Sequence, residues 1–220
     1  MPEIIFSGPG GRLEGRYHTQ PNADAPAALI LHPHPAYGGT MNNKVVHRLY
    51  YCFHRIGFAV LRFNFRGIGR SQGKSDSHDD GSGELADAAA ALDYLQACNP
   101  NSKQCWVAGF SYGAWIGMQL LMRRPEVKGF VAVAPPANQF DFSFLAPCPA
   151  SGIIINGSDD SISAPDKILE LVSKLKKQGG IEVVHKVIDA TGHFFDGDGM
   201  VQLEHSVAEY IYARFAPPQS

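Results

Sequence analysis

The chain has 220 residues, of which 45% are hydrophobic and 18% charged, and its formal net charge is −2. These values exclude intrinsic disorder and a binder of nucleic acid held by a basic surface, and a chain of this size buries about 70% of its unfolded surface. No window approaches the roughly 18 apolar residues of a membrane span, and the only early apolar run, Ile4–Phe6, is shorter than the about 7–15 residues of a secretory signal. One domain over residues 1–220, cytoplasmic and without membrane or nucleic-acid partners, is the expectation. Cys52, Cys98, Cys105 and Cys148 have no C-x-x-C spacing, and reduced, buried thiols are expected for them.

Short runs rich in Val, Ile and Phe alternate with longer helical patterns. That alternation predicts a mostly parallel sheet of eight strands with helices on both faces. Glu3–Ser7 and Leu13–His18 read as an opening antiparallel pair around a glycine turn. The central strands are predicted at Ala27–Leu31, Phe58–Phe65, Gln104–Ala108, Phe130–Ala134, Gly152–Asn156 and Glu182–Ile188. Helices are predicted over Asn43–Ile56, Glu84–Ala97, Ala114–Arg123, Pro165–Gln178 and Met200–Phe215. A polar stretch, Ser71–Gly83, is the longest loop in this reading, and no internal repeat interrupts the series.

In such a sheet ligands meet the carboxyl ends of the strands, so the residues just after each strand carry the chemistry. After the strand QCWVA comes Gly109-Phe110-Ser111-Tyr112-Gly113, a G-x-S-x-G pattern leading into a helix. This is the setting of a nucleophile elbow, where flanking glycines admit a turn that no side chain could share. It places Ser111 at a helix amino terminus, where N–H groups favour developing negative charge. A serine hydroxyl needs a base, and the base needs a carboxylate to hold its tautomer. The junction after GIIIN supplies Asp159 and Asp160, either of which could also cap the next helix. The junction after VVHKVI supplies His193, set between Gly192 and Phe194.

The first central strand ends in His32-Pro33-His34-Pro35-Ala36-Tyr37-Gly38-Gly39. An oxyanion hole needs an N–H from this loop beside that of Tyr112, and prolines have none to give, which leaves His34, Ala36 and Tyr37. The H-x-H pair has no third ligand at a suitable spacing, so no metal is expected, and no cofactor. Gly69–Ser75 resembles a phosphate loop but has one residue too few between its glycines. Asp76–Gly81 resembles a calcium loop only weakly, with His78 at its third position and Asp87 at its twelfth.

Together HPHPAYGGTMNNKVV, RFNFRGIGRSQG, GFSYGAW, INGSDD and ATGHFF resemble the α/β-hydrolases, specifically the small lidless bacterial hydrolases related to dienelactone hydrolases, over roughly residues 32–195. Pro33 stands where many relatives have glycine, and Ser111 stands where dienelactone hydrolases have cysteine. The resemblance implies an α/β-hydrolase fold with no substantial cap domain, and a carboxylesterase that cleaves small acyl esters through Ser111, His193 and an acid. It favours Asp160 over Asp159, because NGSDDSISAP resembles the family's acid loop. It favours His34 as the second oxyanion donor, and it places RFNFRGIGRSQG at the sheet edge beside the site. Only residues 135–151 are left where relatives insert a lid, and they carry Phe140, Phe142 and Phe144. Tyr37, Phe194, Phe140 and Phe142 are therefore expected to line an apolar acyl site. Amide or thioester cleavage, or a noncatalytic binding role for the fold, are the alternatives, and the oligomeric state is left open with a homodimer among the options.

Overall fold

Residues 3–75 and 80–215 are described in a computed structural model of the chain. The amino-terminal strands β1 (Glu3–Gly8) and β2 (Gly11–His18) form an antiparallel hairpin whose turn uses Gly11 at a φ of 124°, a conformation open to glycine. β3 (Ala27–Leu31) and β4 (Ala59–Phe63) are buried at every position, the signature of strands covered on both faces. They are followed by β5 (Cys105–Phe110), β6 (Val127–Val133), β7 (Ser151–Gly157) and β8 (Val183–Ile188). The sheet order is β1-β2-β4-β3-β5-β6-β7-β8. β2 runs antiparallel to both its neighbours, and β3 to β8 are mutually parallel.

Five α-helices lie among the described residues: α1 (Lys44–Ile56), α2 (Ser82–Cys98), α3 (Tyr112–Arg123) and α4 (Pro165–Lys176), which form crossovers, and α5 (Asp198–Phe215), which follows β8. Asn43 caps α1 by accepting the Val45 N–H at 2.9 Å, and Gly57 ends it in the left-handed conformation. One core layer packs α2, α3 and α4 on the sheet, around Leu92, Leu121 and Leu175. The other packs α1 and α5, around Phe53, Phe110 and Leu203. The chain leaves β3 toward β4 on one side and later fills β5 on the other, so a crevice opens at their carboxyl ends.

The expected elements are all present, with shifted ends. β6 begins at Val127, ahead of the apolar run, and exposed Lys128 is the extra residue of a register shift between the Cys105–Val127 and Trp106–Gly129 pairs. β4 stops at Phe63, and the Phe65 N–H turns to the His32 ring instead of the ladder. The RFNFRGIGRSQG segment does not lie at a sheet edge: Arg62 and Phe63 belong to β4, which is flanked by β2 and β3. Cys98 is exposed, contrary to expectation, while Cys52, Cys105 and Cys148 are buried, and all four are free thiols. Part of the calcium-like stretch, residues 76–79, lies outside the described residues. No helix among the described residues is long and apolar enough to cross a membrane.

Candidate active site

The strand-to-helix turn after β5 forces Ser111 to φ 55° and ψ −120°, a conformation that costs a non-glycine residue about 1–3 kcal/mol. The turn closes only because its flanks lack side chains. A Cβ on Gly109 would sit 2.2 Å from the Gly113 carbonyl oxygen, and one on Gly113 would sit 2.4 Å from that of Leu31. Ala134, Ala190 and Phe195, all beside the same end of the sheet, also hold positive φ values. Sheet hydrogen bonding continues past the strand ends and holds these loops. The Ser111 N–H donates to Val133 at 2.8 Å, Ala134 to Ile155 at 2.7 Å, Ser158 to Ile188 at 2.9 Å and Asp159 to Thr191 at 2.9 Å.

His193 lies between Ser111 and Asp160, with Nε2 3.1 Å from Ser111 Oγ and Nδ1 2.8 Å from Asp160 Oδ2. All three are buried. An ionised carboxylate only accepts, so the neutral imidazole carries its proton on Nδ1 and presents the Nε2 lone pair to the serine hydroxyl. Asp160 Oδ1 accepts the N–H groups of Ile162 at 2.8 Å and Ser163 at 2.7 Å, which fixes the carboxylate plane. Asp159 faces away and takes a hydrogen bond from Ser158 Oγ at 2.7 Å. The arrangement can remove a proton from Ser111, carry it on His193 and hold the resulting imidazolium beside a carboxylate.

The loop after β3 bends through a short 3-10 turn, Pro35–Tyr37. Two of its three candidate donors are engaged within the loop: the Ala36 N–H donates to His34 Nδ1, and the Tyr37 N–H to the His34 carbonyl, each at 3.1 Å. The His34 ring packs 4.4 Å from that of Tyr112. Burial lowers the His34 pKa, while the Glu84 carboxylate works in the opposite direction. Beneath it His32 is fully buried, donating from Nδ1 to the Pro33 carbonyl at 2.7 Å and accepting the Phe65 N–H on Nε2 at 3.0 Å. Burial pushes its pKa down to about 3, so it is a neutral structural strut.

Residues to which the sequence assigned no role of their own brace this loop and the elbow. Arg62, 2% exposed, donates to the Met41 carbonyl and, at 2.8 Å, to Asn42 Oδ1. Asn64 accepts the Met41 N–H at 2.8 Å and donates to Glu14 at 3.1 Å. Buried Glu84 accepts a hydrogen bond from Ser75 Oγ at 2.7 Å and a longer one, 3.4 Å, from the Tyr112 hydroxyl. The available signal was polar residues at every second position of an otherwise apolar strand, Arg62 and Asn64 in AVLRFN.

A cavity of about 400 Å³ opens over Ser111, with His34, Tyr37, Tyr112, Phe140, His193 and Phe194 in its wall. Tyr37 and Phe194 are exposed at its mouth. Phe142 is not part of it. That ring is buried, 6.0 Å from Phe144, and lines a separate cavity of about 180 Å³ against α4. Phe140 lines both cavities and stacks on Trp115 at 4.4 Å. Residues 134–150, between β6 and β7, contain no helix, and Pro136, Gln139 and Phe140 of this segment border the cavity. Among the described residues no group of three His, Cys, Asp or Glu side chains is placed to hold a metal ion.

Residues 37–150 match the family model described as serine aminopeptidase, S33. An uncharacterized protein of Rickettsia prowazekii is 52% identical over 199 residues, which cover 89% of this chain and 82% of that protein. A solved structure from Agrobacterium tumefaciens, of a protein of unknown function grouped with the alpha/beta hydrolases, is 55% identical with a TM-score of 0.93, covering 97% of this chain and 96% of its own. A lidless α/β serine hydrolase from Xanthomonas campestris is 29% identical with a TM-score of 0.82, covering 100% and 96%. The chain belongs to the α/β-hydrolases, in their serine hydrolase family.

Proposed function

We propose that this serine hydrolase is a carboxylesterase for small, soluble acyl esters, with Ser111 as nucleophile, His193 as general base and acid, and Asp160 as the orienting carboxylate. The observation that carries this reading is the continuous hydrogen-bonded series from Asp160 through His193 to Ser111. Ser111 Oγ attacks the ester carbonyl and its proton moves to His193 Nε2. The tetrahedral oxyanion is held by the N–H groups of Tyr112 and His34, and loss of one such donor typically costs about 10²–10³ in rate. His193 passes the proton to the leaving alcohol, and water repeats the sequence on the acyl-enzyme. The two other candidate donors are engaged within the loop, which supports His34 as the second one.

The direction of the substrate follows from the proton's destination. The leaving oxygen must reach His193 Nε2, and His193 packs 5.0 Å from Phe110, on the α1–α5 side of the sheet. The acyl group then lies toward Tyr112 and Phe140, on the α2–α4 side. Free thiols favour the cytoplasm as its compartment. A fluorophosphonate probe should label the wild type and fail on Ser111→Ala; an unlabelled wild type would favour a noncatalytic binding role. Matched ester, thioester and amide substrates then rank the bond cleaved.

A further inference from the structure

The sequence of α1, KVVHRLYYCFHRI, contains five basic residues and no acidic one. Its outer face, Lys44, His47, Arg48, Tyr51 and Arg55 at helical spacing, lines an open groove of about 600 Å³ together with Asn42. Two carboxylates meet this face. Asp196 pairs with Lys44, and Glu204 bridges Arg48 at 2.8 Å and Arg55 at 2.7 Å. The side chains of Lys44, Arg48 and Arg55 are still 47%, 43% and 65% exposed, so each keeps N–H groups for a further partner. Behind them Arg62 has its guanidinium over the Tyr50 ring at 5.0 Å, and among the described residues no carboxylate lies within ion-pair distance of it. Three exposed cations thus face two carboxylates, with the buried Arg62 adding a positive charge behind them, in a chain whose overall charge is −2.

The groove adjoins the catalytic cavity on the side where the leaving group departs. Asn42 and Lys44 line the groove, and Asn43 between them lines the cavity. Lys44 Nζ lies 6.0 Å from the ring of Phe194, which borders His193 in the cavity wall. We propose that this groove binds the anionic end of the leaving group, and that the preferred substrates are acyl esters of small alcohols that carry a phosphate or diphosphate. Arginine forks match phosphate oxygens in pairs, and the groove's excess of positive charge, reinforced from behind by Arg62, suits an anion of that shape. The inference rests on the esterase reading. The phosphate takes no part in the chemistry: the bond from the acyl carbon to Ser111 Oγ forms, the bond to the leaving oxygen breaks, and His193 moves the serine proton onto that oxygen.

The test compares 2-acetoxyethyl phosphate and its four-carbon homologue with the same acetates lacking phosphate. The phosphorylated esters should be hydrolysed with about tenfold higher kcat/KM, mostly through KM, and the advantage should shrink as ionic strength rises. In the double variant Arg48→Gln/Arg55→Gln the ratio should fall to about one. Glu204→Gln should raise it about threefold, a gain that a damaged fold cannot produce. Equal kcat/KM for charged and neutral esters in the wild type overturns the proposal. So does binding to phosphatidic acid vesicles without preference for the soluble phosphate esters, which would make the groove a lipid-headgroup site. Calorimetry with inorganic pyrophosphate separates the two readings: binding that disappears in the double variant keeps the groove even if no ester is cleaved, and no binding removes it even if neutral esters are.

Discussion

Asp160 and His193 meet with Oδ2 2.8 Å from Nδ1, although 33 residues of chain, counted by position, separate them. Asp159, the neighbour of Asp160 along the backbone, points its carboxylate to Ser158 instead. Asp160→Asn should therefore lower kcat by about 10⁴, because an amide can stabilise the wrong imidazole tautomer. Asp159→Asn should stay within about twofold of wild type, as expected of an exposed substitution. Steady-state rates on a p-nitrophenyl ester decide it, and the reverse ranking would make Asp159 the acid.

The backbone of Ser111 predicts a gain of stability on losing the nucleophile. Ser111→Gly removes a strain of about 1–3 kcal/mol and adds a chain-entropy cost of about 0.5–1 kcal/mol, so Tm should rise, by up to about 10 °C, while turnover disappears. Ser111→Ala keeps the same φ and also loses turnover, but should show no such rise. Paired thermal melts provide the comparison, and equal Tm values for the two variants would show that the turn stores no more strain than the about 0.5–1 kcal/mol glycine costs in chain entropy.

His32 ties stability to acid. Its pKa is about 3 in the folded chain and about 6.5 unfolded, so between those values the unfolded state binds the extra proton. Stability from this residue is complete above about pH 6.5 and is lost as pH falls toward 3, with a limiting slope of about 1.4 kcal/mol per pH unit. His32→Asn should be less stable at pH 7, having lost the bond from Phe65, yet show a shallower decline with acid. Urea unfolding at pH 7, 5.5 and 4.5 measures both effects.

Phe140 is the partition between the catalytic cavity of about 400 Å³ and the cavity of about 180 Å³ beside α4. Phe140→Ala should join them and move the preferred acyl length upward, with longer p-nitrophenyl esters gaining relative to acetate. Loss of the stacking on Trp115 and of the half-buried ring should cost about 1–3 kcal/mol of stability. A chain-length profile that keeps its wild-type shape in a folded variant would place the acyl group elsewhere.

The parts of the site that could be read in the sequence are those whose chemistry coincides with a change of backbone state. Ser111 lies between two glycines that the turn demands, and Asp160 and His193 lie in the loops that follow β7 and β8. What could not be read depends on pairs distant along the chain. Glu14 with Asn64, Arg62 with Met41 and Glu84 with Tyr112 become neighbours only once β2, β4 and α2 are stacked. The three aromatics after β6 look equivalent as a string, but Phe142 turns into the core and Phe140 toward Ser111, because a loop has no periodicity to assign its faces. The basic face of α1 is legible as a pattern, yet its position beside Phe194 is a tertiary fact.

The hydrogen bonds that carry the sheet beyond its strand ends, from Ser111 to Val133, Ala134 to Ile155 and Ser158 to Ile188, have a consequence for heat inactivation. The reactive groups are fastened to the same cooperative ladder as the core, so there is no separately melting subregion for activity to lose first. Loss of turnover and loss of secondary structure on warming should trace one curve.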